Sequence, residues 1–228
     1  MKKYLHFNQD GLKIIALITM TLDHMGKIIF LPTCEPMTLI GRTAFPIFSY
    51  LIMLHLYEKK CFKKYFVWLF LFGTLTSVVL VLQNESPNNI LWTFFVAIAC
   101  IWLLGKAFLV FEKTAIRNFL NILIFTFCFF VSFGTDYSIF GFCYLLSLYG
   151  FFKYKSPLFV MFALVFGGLI NPITPSAAAI SIITTGILLM NNPVGRDKRY
   201  IRSKWLFYVY YPAHLTLLYA LRTAGIVF

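Results

Sequence analysis

The chain has 228 residues, of which 60% are hydrophobic and only 12% are charged, and its formal net charge is +12. Soluble globular domains contain about 25% charged residues, so this composition excludes that class and favours a membrane protein. The five cysteines show no CxxC spacing, and we expect neither a disulfide framework nor a metal site.

Repeated apolar stretches predict an all-α fold, a polytopic transmembrane helical bundle of about nine spans. The predicted count lies between eight and ten, and it changes, with the side of the C-terminus, if one of the short spans between 138 and 190 is re-entrant. All connections are short, so residues 1–228 are predicted to form a single integral-membrane domain. The proposed spans are about 12–31, 39–57, 65–82, 90–105, 117–134, 138–152, 157–170, 175–190 and 205–221.

The basic residues predict the orientation of these spans. Of the 20 Lys and Arg residues, 16 lie in the N-terminus and the even-numbered connections between spans. The odd connections hold Glu35, Glu85 and Asp136 and no basic residue. The positive-inside rule therefore places the N-terminus in the cytoplasm. Because topology explains the basic excess, we expect the lipid bilayer and not a nucleic acid as partner.

The first span, Gly11–Phe30, carries Lys13, Asp23, His24 and Lys27. Ionisable groups within a membrane are costly, so they indicate function. Lys13 and His24 are eleven residues apart, which places them on one helix face about 16 Å apart along the axis. Lys13 alternatively extends to the lipid headgroups. Asp23 either stabilises the His24 imidazole or pairs with Lys27 at i, i+4 spacing.

Four further polar residues are candidates for holding a substrate or stabilising a developing oxyanion. Gly41 and Arg42 are predicted to open the second span from the outer side, which brings the Arg42 guanidinium near the level of His24. Asp136 lies in the third outer connection. Tyr211 and His214 are spaced i, i+3 near the middle of the last span, so they can line one pocket.

Four segments of the chain resemble the TraX family, namely DGLKIIALITMTLDHMGKIIF, IGRTAFPIFSYLIMLHLYEKK, TDYSIFGF and LFYVYYPAHLTLLYALR. TraX-like proteins are bacterial inner-membrane proteins associated with N-terminal acetylation of conjugative pilin. The Lys13-x10-His24 spacing is also similar to the basic-x10-His signature of acyltransferase family 3, which moves acyl groups from cytoplasmic acyl-CoA to extracytoplasmic acceptors. This chain has Lys where many of those proteins have Arg, which weakens bidentate phosphate binding.

The resemblance implies a multi-pass acyltransferase of the bacterial inner membrane that uses acetyl-CoA as acyl donor and no metal. Its acceptor is the N-terminal amine of a pilin-like protein or, alternatively, an envelope glycan. An ion-coupled transporter is the rival from another class. The implied site comprises His24 and Asp23 as catalytic groups, Lys13, Lys27 and Arg42 as donor-binding groups, and Arg42, Asp136, Tyr211 and His214 as groups for the acceptor or oxyanion.

Overall fold

The computed structural model describes residues 8–30, 32–59, 61–110, 113–171, 174–190 and 205–226. These ranges contain ten α-helices and no strand, which confirms the all-α prediction. Each predicted span coincides with one helix, except that the second span covers α2 and α3. The helices are α1 (Gln9–Ile28), α2 (Glu35–Gly41), α3 (Ala44–Lys59), α4 (Phe62–Leu82), α5 (Ile90–Val110), α6 (Thr114–Ser132), α7 (Ser138–Tyr154), α8 (Pro157–Leu169), α9 (Pro175–Met190) and α10 (Trp205–Thr223).

The break between α2 and α3 differs from the sequence expectation. Gly41 ends α2, and Arg42 lies in the turn before α3 instead of opening the second span. Pro46 explains the break, because proline has no N–H to donate to the Arg42 carbonyl and its ring clashes with that carbonyl. In the first turn of α3 the missing N–H is not needed, so the helix resumes there.

Four helical segments of the described chain are long and apolar enough to cross a membrane, namely Glu35–Lys59, Phe62–Leu82, Ile90–Val110 and Thr114–Ser132. Helices α8 and α9 are apolar but shorter. Large apolar side chains on α6, such as Phe119 and Ile122, are exposed on the outside of the bundle. An exposed apolar surface of this kind suits contact with lipid. The protein is a helical membrane bundle.

The acidic and basic connections lie at opposite ends of the bundle. At one end, here called the acidic end, the first residue of α2 and residues from the connections after α4, α6 and α8 line a common cavity, among them Glu85 and Asp136. The start of α1 and the α3–α4 connection line a second cavity at the other end, the basic end, with Lys59 and Lys64. The eighth predicted connection, with its five basic residues, lies outside the described residues.

Two glycines let α2 approach α1 closely. A Cβ atom on Gly26 would lie 2.9 Å from the Met37 Cβ, and one on Gly41 would lie 2.2 Å from the Asp23 Cβ. Separations this short do not occur between carbon atoms that are not bonded. Because neither residue has a side chain, the end of α2 and the Arg42 that follows it can lie directly against the last two turns of α1.

Candidate functional site

A cavity of about 480 Å³ lies at the acidic end, and we call it the histidine cavity. Side chains from the second half of α1 line one wall of this cavity. The turn between α2 and α3 adds the guanidinium of Arg42, and α10 forms another wall. Three exposed charged residues, Glu35, Glu85 and Arg222, also line this cavity. Six of the predicted site residues line it: Asp23, His24, Lys27, Arg42, Asp136 and Tyr211.

The imidazole of His24 pairs with that of His214. The His24 Nδ1 lies 2.9 Å from the His214 Nε2, and the His214 Nδ1 lies 2.7 Å from the Tyr210 carbonyl oxygen. His214 is 6% exposed and does not line the histidine cavity, so it stands behind His24. The spacing predicted that Tyr211 and His214 can line one pocket, but of the two only Tyr211 lines this cavity, and His214 contacts the His24 ring. The Tyr211 ring contacts His24 edge-on, with centroids 5.9 Å apart.

Asp23 pairs with Lys27, which is one of the two alternatives that the sequence left open. Its Oδ2 accepts a hydrogen bond from the Lys27 ammonium group. The other carboxylate oxygen, Oδ1, is buried and has no hydrogen-bond partner among the described residues. Adjacent residues on a helix point about 100° apart. Accordingly, Asp23 faces Lys27 and Gly41 while His24 faces α10.

Asp136 reaches the histidine cavity from the α6–α7 connection. The neighbouring Tyr137 holds this connection in place, since its ring stacks on Phe45 with centroids 4.0 Å apart. Asp136 lines the cavity and is exposed there. Desolvation by the surrounding protein raises the pKa of Asp136 and Asp23 adds to this, while Lys27 and Arg42 lower it. A cation bound to this carboxyl group would compensate for the hydration that it has lost.

A second cavity of about 480 Å³, the lysine cavity, lies at the basic end. Lys13, Lys59 and Lys64 line it together with aromatic side chains. The Lys13 ammonium forms an ion pair of 2.8 Å with Asp10 and lies 5.6 Å from the centroid of the Phe207 ring. Lys13 is therefore not in the cavity of Lys27 and Arg42, and the predicted donor-binding set is divided between two cavities. Lys13 and His24 point to the same side of α1, but they lie at different heights along the helix axis and therefore have different neighbours.

The model of the family described as TraX protein matches residues 8–222, nearly the whole chain. The chain belongs to the TraX family. An uncharacterized protein of Rickettsia prowazekii (strain Madrid E), RP591, is 26% identical over 113 residues, which are 49% of this chain and 40% of that protein. The chain thus matches less than half of that relative's length. No solved structure matches.

Four side chains line both cavities of this TraX family member, namely Met20, Phe48, Ile90 and Tyr211, and we call this shared boundary the partition. Met20 lies on α1 between Lys13 and His24, so the stripe predicted on that helix runs past the partition. Within the described residues no group of three or more His, Cys, Asp or Glu side chains is placed to hold a metal ion.

Proposed function

We propose that this TraX family member is a membrane-embedded acyltransferase that moves an acetyl group from acetyl-CoA at the basic end to an acceptor at the acidic end. The main support is the position of His24, which faces the histidine cavity and is separated by four side chains from a lysine-rich cavity. By the positive-inside rule the basic end, with the N-terminus, faces the cytoplasm of a bacterial inner membrane.

The lysine cavity has the chemistry that an acyl-CoA needs. The phosphates of CoA require cations, which Lys13, Lys59 and Lys64 supply at the rim. The pantetheine arm is long and only weakly polar, and the apolar and aromatic wall of the cavity suits it. Lys27 and Arg42 lie beyond the partition, so we assign them to the reacting carbonyl instead of the phosphates.

The side chains of the histidine cavity supply a base and cations for acyl transfer. His24 takes a proton from the attacking group of the acceptor as the new bond to the acyl carbon forms. Negative charge then develops on the carbonyl oxygen, and preorganised donors stabilise such charge strongly in a site removed from water. Arg42 and Tyr211, which line the same cavity, are the donors that we assign to this role.

The charges around the histidine cavity favour an amine acceptor. Four carboxylates line it, those of Asp23, Glu35, Glu85 and Asp136, against the three cations of Lys27, Arg42 and Arg222. The excess of one carboxylate attracts a cationic group, which an N-terminal amine carries and a neutral glycan does not. We therefore propose the N-terminus of a pilin-like protein as acceptor, in keeping with the family; O-acylation of an envelope glycan is the alternative.

Acetyl transfer to a defined acceptor tests the proposal. Purified protein is incubated with acetyl-CoA labelled in the acetyl group and with a pilin-like peptide, the same peptide with a blocked N-terminus, or an envelope glycan. We expect label on the free N-terminus alone. Sealed inverted vesicles should consume external acetyl-CoA and right-side-out vesicles should not. Label on the glycan would establish O-acylation, and no label on any acceptor would contradict acyl transfer.

An ion-coupled transporter is the second candidate. Two cavities at opposite ends of the bundle with a thin shared wall also suit alternating access, and His24 with His214 would then carry protons. This function predicts solute or proton flux in proteoliposomes without acetyl-CoA. A flux that His24→Ala abolishes, in the absence of any acetyl transfer, would favour the transporter.

Lys13→Ala is expected to raise the KM for acetyl-CoA about 10- to 100-fold, since a hydrogen bond to a charged group contributes about 1.5–3 kcal/mol. The KM for the acceptor should stay unchanged, because Lys13 lines the lysine cavity and not the histidine cavity. Steady-state kinetics with each substrate varied in turn measure both constants.

The matched control for this experiment is Lys153→Ala. Lys153 lies in the last turn of α7, lines neither described cavity and contacts the ring of Tyr154. Its replacement removes one positive charge from the same chain without touching the lysine cavity. If Lys13→Ala and Lys153→Ala give the same KM for acetyl-CoA, Lys13 does not bind the donor and merely extends toward the headgroups.

A further inference from the structure

The hydrogen-bond chain behind His24 ends on a group that can only accept. The last acceptor is the Tyr210 carbonyl oxygen, 2.7 Å from the His214 Nδ1, and a carbonyl has no proton to donate. The His214 Nδ1 therefore carries a proton. A neutral imidazole holds one proton, so the His214 Nε2 presents a lone pair toward the His24 Nδ1, 2.9 Å away. The opposite tautomer would point a lone pair at the carbonyl oxygen.

The tautomer of His24 follows from that of His214. The lone pair of the His214 Nε2 lies 2.9 Å from the His24 Nδ1, so the His24 Nδ1 carries a proton that it donates to this acceptor. A neutral imidazole holds one proton, so the lone pair of His24 lies on Nε2.

The surroundings keep His214 neutral and fixed. It is buried, and neither ion pair among the described residues involves it. A buried cation without a partner is strongly disfavoured. The ring of Tyr210 stacks on His214 with centroids 5.0 Å apart and an angle of 14°. The Tyr210 hydroxyl lies 2.6 Å from the Thr21 Oγ1, whose own proton is donated to the Leu17 carbonyl, so Tyr210 is tied to α1 as well.

We propose that His214 is a positioning residue that holds His24 in the Nδ1–H tautomer and leaves Nε2 as the basic atom for the histidine cavity. His24 lines the cavity and can act as the base there, whereas His214 lies behind it and can only hold its ring. For its catalytic meaning this inference rests on the proposed acyl transfer. The tautomer itself is independent of any reaction.

The proposed assignment gives a balanced transfer step. The acceptor nitrogen attacks the carbonyl carbon of the thioester, and the C–N bond forms as a proton passes from that nitrogen to the His24 Nε2. The imidazolium keeps its Nδ1–H directed at the His214 Nε2, which can share the positive charge because its own Nδ1–H faces a carbonyl. The C–S bond then breaks, and the thiolate leaves with the proton from the His24 Nε2.

Nitrogen NMR tests the proposal without reference to activity. The chain has four histidines, so protein labelled with ¹⁵N-histidine gives a spectrum that single substitutions can assign. We expect His24 to be protonated at Nδ1 and unprotonated at Nε2. We also expect a nitrogen–nitrogen coupling through the hydrogen bond to His214, lost in His214→Phe. A proton on the His24 Nε2, or no coupling in the wild-type protein, would overturn the proposal.

Kinetics of His214→Phe supply the second measurement. Phenylalanine keeps the ring that stacks on Tyr210 but offers no acceptor to His24, so we expect kcat to fall about 10- to 100-fold while the KM for acetyl-CoA stays within twofold. The control is Thr216→Ala, which also removes an i−4 bond from side chain to carbonyl on α10, at an exposed position. Full kcat in His214→Phe would refute a positioning role. A wild-type protein that shows the coupling but no acetyl transfer would refute the proposed function alone.

Discussion

Replacement of His24 by alanine is expected to lower kcat about 10²–10⁴-fold, which is the usual contribution of a general base. His24→Gln should fail almost as severely, because an amide forms hydrogen bonds but cannot accept the proton at neutral pH. The acetyl-transfer assay with saturating substrates measures the loss. Thermal unfolding in detergent should show that both variants remain folded, since His24 lines a cavity and its removal displaces no packed core residue.

Asp23→Asn separates the role of His24 from that of its neighbour. The Asp23 carboxylate pairs with Lys27, and the partner of the His24 imidazole is His214. Asp23→Asn should therefore cost less in kcat than His24→Ala. A well-folded His24→Ala protein with the wild-type rate would contradict the acyltransfer mechanism and favour the transporter. Equal losses in the two variants would show that Asp23 acts directly on His24.

Gly41→Ala is expected to damage both stability and activity, because the new Cβ would lie 2.2 Å from the Asp23 Cβ. Either α2 or α1 has to move, and overpacking of this kind costs about 1–3 kcal/mol. A loss of about 1 kcal/mol corresponds to a shift in Tm of about 2–4 °C for a chain of this length. A displacement of about 1 Å at His24, the next residue, would lower kcat about 10²-fold.

Gly105→Ala is the matched control for the close approach of α1 and α2. Gly105 lies within α5, and a Cβ built there meets no atom within 4 Å among the described residues. Alanine favours a helix over glycine by roughly 0.5–1 kcal/mol, so this variant should be as stable as the wild type or more so. If Gly41→Ala matches Gly105→Ala in Tm and in kcat, the two helices do not meet as closely as described.

The sequence was a good guide to the helices because each span is a local property. Long apolar runs set the positions of α4, α5 and α6, and the short α8 and α9 begin at Pro157 and Pro175, where a missing N–H is tolerated. The break at Arg42 was also readable in principle, since Pro46 stands four residues later. The apolar runs therefore located the helices, and the break between α2 and α3 was the one that they missed.

The site was less readable, because its defining contact joins α1 to α10. His24 and His214 are 190 residues apart in sequence, and no periodicity relates one helix to another. Helical spacing put Lys13 and His24 on one face of α1 but could not show that Met20, which lies between them, lines both cavities. The signals that pointed to His214 were its place near the middle of the last apolar span and its spacing from Tyr211.

The partition between the cavities has an electrical consequence. Water in the two cavities, which meet at Met20, Phe48, Ile90 and Tyr211, would concentrate the transmembrane voltage over the thickness of those side chains. An elementary charge that crossed this short distance would experience up to about 2.3 kcal/mol per 100 mV. An acetyl group is neutral and would experience none. Under the proposed acyl transfer, the acetyl group would pass from one compartment to the other while the phosphates of the donor stay behind and the membrane remains polarised.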